Sequence, residues 1–137
     1  MIRAKMREQI FKILFRVEFT DTAEFDEQLT FAMEEIAEEF QPKDEDAAYI
    51  RDKVTAIVEK LADIDACIEK YAEGWKLNRI GKPELTILRL AIYEMQYDED
   101  IPAKVAINEA VELTKQFCNE DAKGFVNAVL GKIERDS

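Results

Sequence analysis

The sequence predicts an all-α protein, and three observations lead to that prediction. Only four glycines and three prolines interrupt its 137 residues. Apolar residues recur about every 3.6 positions in almost every segment, which is the period of an α-helix. No stretch alternates apolar and polar residues as a strand does, and no tight hairpin turn is apparent. We therefore expect about six or seven helices in one domain, the size of domain that this length favours.

The first predicted helix covers about residues 3–19. Its apolar stripe consists of Met6, Ile10, Ile13, Leu14 and Val17. The basic residues lie off this stripe: Lys5, Lys12 and Arg16 share one side, and Arg3 and Arg7 follow another line, one turn apart. Cations near a helix N-terminus oppose the helix dipole, so this placement favours a functional role.

The second predicted helix has an apolar stripe and a strongly acidic solvent face. The stripe is Phe25, Leu29, Met33, Ile36 and Phe40, and the acidic face is Glu34, Glu35, Glu38 and Glu39. Pro42 ends this helix, because the residue before a proline avoids the α conformation. A solvated face explains the paired glutamates better than a metal site, since di-metal helical bundles also need histidine.

Further helices follow the acidic segment that begins at Lys43. A third stripe comprises Ile50, Val54, Ile57, Val58 and Leu61, and Ile64, Ile68 and Tyr71 either continue it or form a new helix. Gly74 breaks the pattern, and we expect Trp75 and Leu77 to pack a short turn.

Pro83 marks the start of the next helix, because proline is favoured in the first helical turn. Its stripe is Leu85, Leu88, Ile92 and Met95. After the loop at 98–102, Ala106, Ala110, Leu113 and Phe117 carry another helix, and Val126, Val129, Leu130 and Ile133 carry the last. Asn119 or Asp121 is the expected N-cap of that last helix.

Composition excludes several classes of protein. With no histidine, the chain lacks the usual general base and the commonest metal ligand. Cys67 and Cys118 are far apart and form no metal-binding spacing, so we expect two reduced thiols in a cytoplasmic protein. No apolar run reaches membrane-spanning length, and Lys12 and Arg16 interrupt the segment that would follow a signal peptide's basic start. No nucleotide-binding or nucleophile motif occurs, so we predict neither catalysis nor a metal or other cofactor.

Charge is distributed unevenly along the chain. The net charge is −11. Residues 1–16, however, carry five basic side chains against Glu8 alone, and residues 75–97 carry four against two. Residues 17–48 hold twelve acids against Lys43. Because phosphate contacts depend on local potential, the two basic segments leave nucleic-acid binding open, while a solvated basic helix start explains them equally well.

Phe125 has two interpretations. It stands in the first turn of the last helix, after Lys123 and Gly124. An aromatic ring in that position can stack on an unpaired base. Periodicity alone favours filling of the core, although Val126, Val129 and Leu130 are better placed for that role.

Four ordered blocks resemble the NusB family of bacterial transcription antitermination factors. They begin at Trp75-Lys-Leu-Asn-Arg79-Ile80, continue through Ile87–Glu94 and Ile101–Leu113, and end with Phe125–Ile133. The basic N-terminal helix is also similar, with Arg7-Glu8 followed by Leu14-Phe15, whereas residues 20–48 match only in character. The resemblance implies about seven helices in two small bundles, with an N-terminal half of about 1–45 and a C-terminal half of about 46–137 of one domain, 1–137.

The resemblance also implies a function without catalysis. Family members bind boxA, a single-stranded RNA element of ribosomal RNA leaders, together with NusE, a small-subunit ribosomal protein. With NusA and NusG they help RNA polymerase to pass terminators. The family's RNA contacts correspond here to Arg3, Lys5 and Arg7 and to Asp121 and Phe125, and this shifts the interpretation of Phe125 towards stacking. Lys12 and Lys123 complete the expected RNA-binding set.

NusE docking corresponds to Phe15 and Glu84, and we add Arg16 because it is adjacent. Tyr93, Asn108 and Asn127 also match family positions, and we interpret them as buried polar anchors. Ala128 and Gly131 depart from the residues common in the family. Gly131 should weaken the last helix by about 1 kcal/mol relative to alanine.

Two other functions remain open. NusB-like domains also occur at the N-terminus of ribosomal RNA methyltransferases, and an accessory role in such a system is one alternative. The absence of a cofactor-binding motif in these 137 residues disfavours it. The other alternative is a helical adaptor that binds proteins and never contacts RNA.

Overall fold

The structure is a computed structural model that describes residues 1–137, the side chain of Thr22 excepted. Over that part of the chain it contains seven α-helices and two short 3₁₀ turns, so the prediction of an all-α fold is confirmed. The helices are α1 (Arg3–Val17), α2 (Phe25–Phe40), α3 (Asp44–Glu59), α4 (Leu61–Tyr71), α5 (Lys82–Tyr97), α6 (Ala103–Phe117) and α7 (Ala122–Asp136). The 3₁₀ turns are Thr22–Glu24 and Leu77–Arg79.

The helices form two compact units, Met1–Val58 and Glu59–Ser137. We call them the first and the second unit. The division falls later in the chain than the seam near residue 45 that the sequence suggested. The assignment of both halves to one domain stays a prediction.

The first unit contains α1, α2 and nearly all of α3. Most of each predicted stripe is buried: Met6, Ile10, Ile13 and Leu14 in α1, Leu29, Met33 and Ile36 in α2, and Ile50, Val54 and Ile57 in α3. The stripe residues at the helix ends, Val17, Phe25, Phe40 and Val58, are only half-buried. α2 ends as expected just before Pro42, with Gln41 in the left-handed conformation at φ 47°. α1 ends two residues earlier than predicted, which leaves Phe19 outside the helix and largely exposed.

The second unit is organised around α5. Pro83 lies in the first turn of α5, as predicted. Every residue from Leu85 to Ile92 is buried, because α4, α6 and α7 all pack against this helix. Arg89 is buried too, and its guanidinium binds the Asp65 carboxylate of α4 through Nε–Oδ1 and Nη2–Oδ2 distances of 2.8 and 2.9 Å. A two-pronged ion pair of this kind fixes the relative orientation of two helices.

Two expectations about side-chain positions were wrong, and a third, the N-cap of the last helix, is met only in position. Asn108 and Asn127 are exposed and are not buried anchors, because each lies on the solvent side of its helix. Asp121 holds the N-cap position of α7 but makes no side-chain capping hydrogen bond. Trp75 does not pack its turn closely: 52% of its surface is exposed.

Candidate functional site

Three basic side chains of α1 in the first unit are exposed or half-buried. Lys5 and Lys12 approach the same carboxylate, that of Glu8, with Nζ–Oε2 and Nζ–Oε1 distances of 3.2 and 3.3 Å. Arg3 lies on another side of α1, with its guanidinium carbon 4.7 Å from the ring centroid of Tyr49. We call Arg3, Lys5 and Lys12 the basic cluster. The two pairs with Glu8 follow from helical spacing, because residues three or four positions apart share one face.

Glu8 is the electrostatic centre of this cluster. Burial raises the pKa of its carboxyl, but the hydrogen bonds and charges of Lys5 and Lys12 outweigh burial, and the pKa is lowered overall. Glu8 is therefore ionised at neutral pH and cancels part of the charge of the two lysines.

Arg7 differs from the other basic residues of α1. Only 7% of its surface is exposed, and it has an interaction partner within the protein. An arginine that contacts phosphate directly must present its guanidinium to solvent. The placement of Arg7 therefore favours Arg3, Lys5 and Lys12 as the RNA-contacting candidates on α1.

The second unit holds a cavity of about 300 Å³ at the start of α5 and α7. We call it the aromatic cavity. Its lining consists of Trp75, Arg79, Ile80, Gly81, Glu84, Asn119, Asp121, Ala122 and Phe125. Two side chains that the sequence assigned to RNA, Asp121 and Phe125, thus share a cavity with Glu84, which was assigned to a protein partner.

Two aromatic rings form one side of this cavity. Trp75 and Phe125 meet edge to face, with ring centroids 6.0 Å apart and planes inclined by 64°. Phe125 is only half-buried, whereas its neighbours Val126, Val129 and Leu130 are fully buried and fill the core. Filling of the core therefore does not account for Phe125, and its ring is available to a ligand.

Charged groups surround the two rings. Asp121 is exposed, and Lys123 of the same helix start pairs with Glu120 at 3.0 Å. Glu84 is half-buried and accepts a hydrogen bond from the Cys118 thiol. Burial first, and then this carboxylate, raise the pKa of Cys118 to about 12. A Cβ atom at position 81 would collide with the Glu84 carboxylate, so the absence of a side chain on Gly81 allows this carboxylate to occupy its observed position.

Phe15 and Arg16, assigned to partner docking, lie near the end of α1. Phe15 is half-buried between Phe11 and Phe19, with ring centroids 6.2 and 5.3 Å apart. Phe19 is 67% exposed and continues this row of rings into solvent. Arg16 pairs with Glu35 of α2 at 3.3 Å. A row of rings that ends in an exposed phenylalanine, beside a charged pair, is typical of a protein-docking surface.

Sequence reasoning missed Trp75, Arg79 and Phe19 as candidate functional residues. Trp75 lies in a loop and Arg79 at the end of a short 3₁₀ turn, and neither element has an α-helical period that separates exposed from buried positions. The nearest signal was their place within the Trp75–Ile80 block that carried the family resemblance. Phe19 was assigned to a helix that ends before it.

Two further features are absent from the described part of the chain. None of its helices has both the length and the apolar character needed to cross a membrane. No group of three or more metal-ligating side chains is present among its described residues.

Comparisons with known proteins all give similarity to NusB proteins. The family model described as the NusB family matches residues 4–135. The transcription antitermination protein NusB of Agathobacter rectalis is 48% identical over 133 residues, covering 97% of this chain and 99% of its own.

Solved structures give the same result. NusB of T. maritima superposes with a TM-score of 0.86 at 33% identity, over 99% of this chain and 92% of its own. A complex of the antitermination factors NusB and NusE with dsRNA matches with a TM-score of 0.78 at 26% identity, over the full length of both chains.

Proposed function

This chain belongs to the NusB family, and we propose that it is an RNA-binding transcription antitermination factor that works together with NusE. The observation that carries the proposal is the full-length match to a NusB solved with NusE and dsRNA. Its RNA target is a boxA-type single strand of ribosomal RNA leaders. Its setting is the cytoplasm, in a complex of RNA polymerase with NusA and NusG. It has no catalytic role.

The aromatic cavity is the first of two RNA contacts. Base-aromatic stacking tolerates any base and is worth about 1–3 kcal/mol per base. A half-buried Phe125 beside an exposed Trp75 offers two faces for such stacking, and the cavity of about 300 Å³ has room for one unpaired base. Arg79 and Asp121 line the same cavity, and Lys123 follows Asp121 by two residues. Asp121 would contact the edge of that base, and Arg79 and Lys123 its phosphate.

The basic cluster is the second contact. Arg3, Lys5 and Lys12 would neutralise RNA phosphates, which supplies affinity with little sequence preference. Arg7, being buried, would support α1 from within. Division of labour between phosphate contacts and base contacts is common in proteins that bind single strands.

The proposed NusE contacts are Phe15 and Arg16 in the first unit and Glu84 in the second. Phe15 and the exposed Phe19 supply apolar area on α1, and Arg16 supplies charge. Glu84 lines the aromatic cavity, so a partner bound there would also shape the base-binding side.

Fluorescence anisotropy of a labelled boxA-type RNA tests the proposal. The protein is titrated with and without purified NusE, at near-physiological salt, and a scrambled RNA of equal length serves as the control. We expect tighter binding of boxA than of the scrambled strand, with a further gain when NusE is present.

The test also separates this function from that of a protein adaptor. Replacement of Arg3, Lys5 and Lys12 by glutamine should weaken RNA binding and leave NusE binding nearly unchanged. Equal, weak binding of both RNAs by the wild-type pair, unaffected by these substitutions, would favour the adaptor.

A further inference from the structure

One carboxylate joins two of the three members of the basic cluster. Glu8 holds Lys5 with one oxygen and Lys12 with the other, at 3.2 and 3.3 Å. Lys5, Glu8 and Lys12 occupy one face of α1, with Lys5 about one turn before Glu8 and Lys12 about one turn after it. Arg3 is not held in this way, because its guanidinium lies over the Tyr49 ring.

The carboxylate and the lysines differ in their access to solvent. The Glu8 side chain is only 14% exposed, whereas those of Lys5 and Lys12 are 43% and 48% exposed. A carboxylate with so little water around it depends on the two ammonium groups for its stabilisation. The lowered pKa of Glu8, despite burial, agrees with a strong attraction between them. The ammonium groups themselves remain within reach of an anion from outside.

We propose that Glu8 is an internal competitor of RNA phosphate, which occupies Lys5 and Lys12 in the free protein and thereby lowers the RNA affinity of the basic cluster. The inference rests on the proposed RNA-binding function. A carboxylate and a phosphate both present oxygen anions to an ammonium group, so RNA must share each lysine with Glu8 or displace it. One negative charge also repels any phosphate held at the same face.

This competition adjusts affinity without changing what the site recognises. The lysines act on phosphates, which every RNA carries, so Glu8 suppresses the sequence-independent part of binding. The base contact in the second unit is not affected by it. A protein that must leave unrelated transcripts alone gains selectivity from such a reduction.

Substitution Glu8→Gln tests the inference, because it removes the charge and keeps the shape. We expect the affinity for a boxA-type RNA to rise about threefold to tenfold, the scale set by one unit charge near a phosphate at a protein surface. Affinity for a scrambled RNA should rise by at least the same factor. The plot of log affinity against log salt should steepen by about 0.7 for each lysine that gains a phosphate.

Glu112→Gln is the matched control. Glu112 also pairs with a lysine three residues away, Lys115 in α6, at 3.1 Å, so the variant loses the same charge from a pair of the same spacing on another helix. We expect little change in its RNA affinity or salt dependence. A similar gain in both variants would mean that net charge, and not the position of Glu8, is responsible.

A variant without the two lysines tests whether Glu8 changes RNA binding through them. When Lys5 and Lys12 are both glutamine, Glu8→Gln should no longer steepen the salt dependence. Circular dichroism should show an unchanged helix content in every variant, and Glu8→Asp, whose shorter side chain reaches the lysines less well, should shift affinity in the same direction by a smaller factor.

The outcomes separate the inference from the proposed function. If the wild type binds boxA and Glu8→Gln binds it equally or more weakly, Glu8 merely positions the lysines and the inference is wrong. If neither protein binds RNA, the proposed function fails and the inference fails with it.

Discussion

The basic cluster and the aromatic cavity represent two ways of building a binding surface. The basic cluster lies on a single helix and consists of charges, two of which are already paired with Glu8. The aromatic cavity draws its lining from the irregular segment around Trp75 and from the starts of α5 and α7. The first can be read from helical spacing in the sequence, whereas the second exists only after the chain has folded.

Glu8 and Glu84 make the same comparison at the level of one side chain. Both are carboxylates at a candidate binding surface. Glu8 faces two ammonium groups, and the pKa of its carboxyl is lowered. Glu84 faces a thiol and raises the pKa of that neighbour. The neighbours of a carboxylate therefore decide its effect: Glu8 forms ion pairs with two lysines, whereas Glu84, together with burial, keeps the Cys118 thiol protonated.

The largest expected effect concerns Cys118. With its pKa raised from 9.0 to about 12, much less of this thiol is ionised near pH 8 than of an ordinary cysteine. The greater nucleophilicity of a thiolate of higher pKa offsets part of this loss, so alkylation should be slowed by roughly thirtyfold or more. Substitution Glu84→Gln should speed it, because the carboxylate no longer opposes ionisation. Mass spectrometry of alkylated peptides measures both rates, with the denatured protein as the reference.

The raised pKa also means that the Cys118 thiol favours the folded state below pH 9, a contribution that declines as the pH rises to about 12. In the alkylation experiment, an unchanged rate at Cys118 in Glu84→Gln would show that burial alone protects the thiol.

The next largest effect tests the aromatic cavity. Replacement of both Trp75 and Phe125 by alanine should lower RNA affinity about tenfold to a hundredfold, because stacking is lost. The loss should be nearly the same at low and at high salt. Tyr97→Ala, which removes another exposed ring from the second unit, is the control and should have little effect on RNA. A loss that vanishes at low salt would assign the cavity to phosphate binding.

A smaller and salt-dependent effect tests the basic cluster. The triple replacement of Arg3, Lys5 and Lys12 by glutamine should lower RNA affinity about tenfold near physiological salt. The reduction should shrink as salt rises, in contrast to that of the aromatic pair. Anisotropy titrations at several salt concentrations measure it. If the triple variant and the aromatic variant show the same salt dependence, the division between charge and stacking does not hold.

The smallest effect concerns stability rather than binding. Gly131 lies inside α7, where a methyl group would meet only the mobile end of Arg135 at 3.4 Å. Gly131→Ala should therefore raise the free energy of unfolding by about 1 kcal/mol through helix propensity. Urea denaturation followed by circular dichroism measures the change. RNA affinity should not change, and a change in affinity would indicate that the end of α7 belongs to the binding surface.

Periodicity predicted the helices because a buried face must repeat with the helical turn. The stripes of α1, α2 and α5 show this, and Pro83 shows that a local rule can locate a helix start. The same rule failed at Trp75, since an irregular segment has no period from which exposure can be judged.

Charge counting failed for a different reason. Arg7 and Arg89 raised the apparent positive charge of the two basic segments, but both are buried, and Arg89 is paired with Asp65. A sequence does not show which cations a fold encloses. The sequence thus predicted the residue types of the candidate site, while the structure decided which of them face outward.

Trp75 is the only tryptophan of the chain, and it lines the aromatic cavity. Its indole emission therefore reports on this one place, without any dye or engineered label. The wavelength and intensity of that emission depend on how much water surrounds the ring and on what touches it. The protein thus contains its own optical sensor at the cavity, and light emitted by the unaltered molecule distinguishes an empty cavity from a filled one.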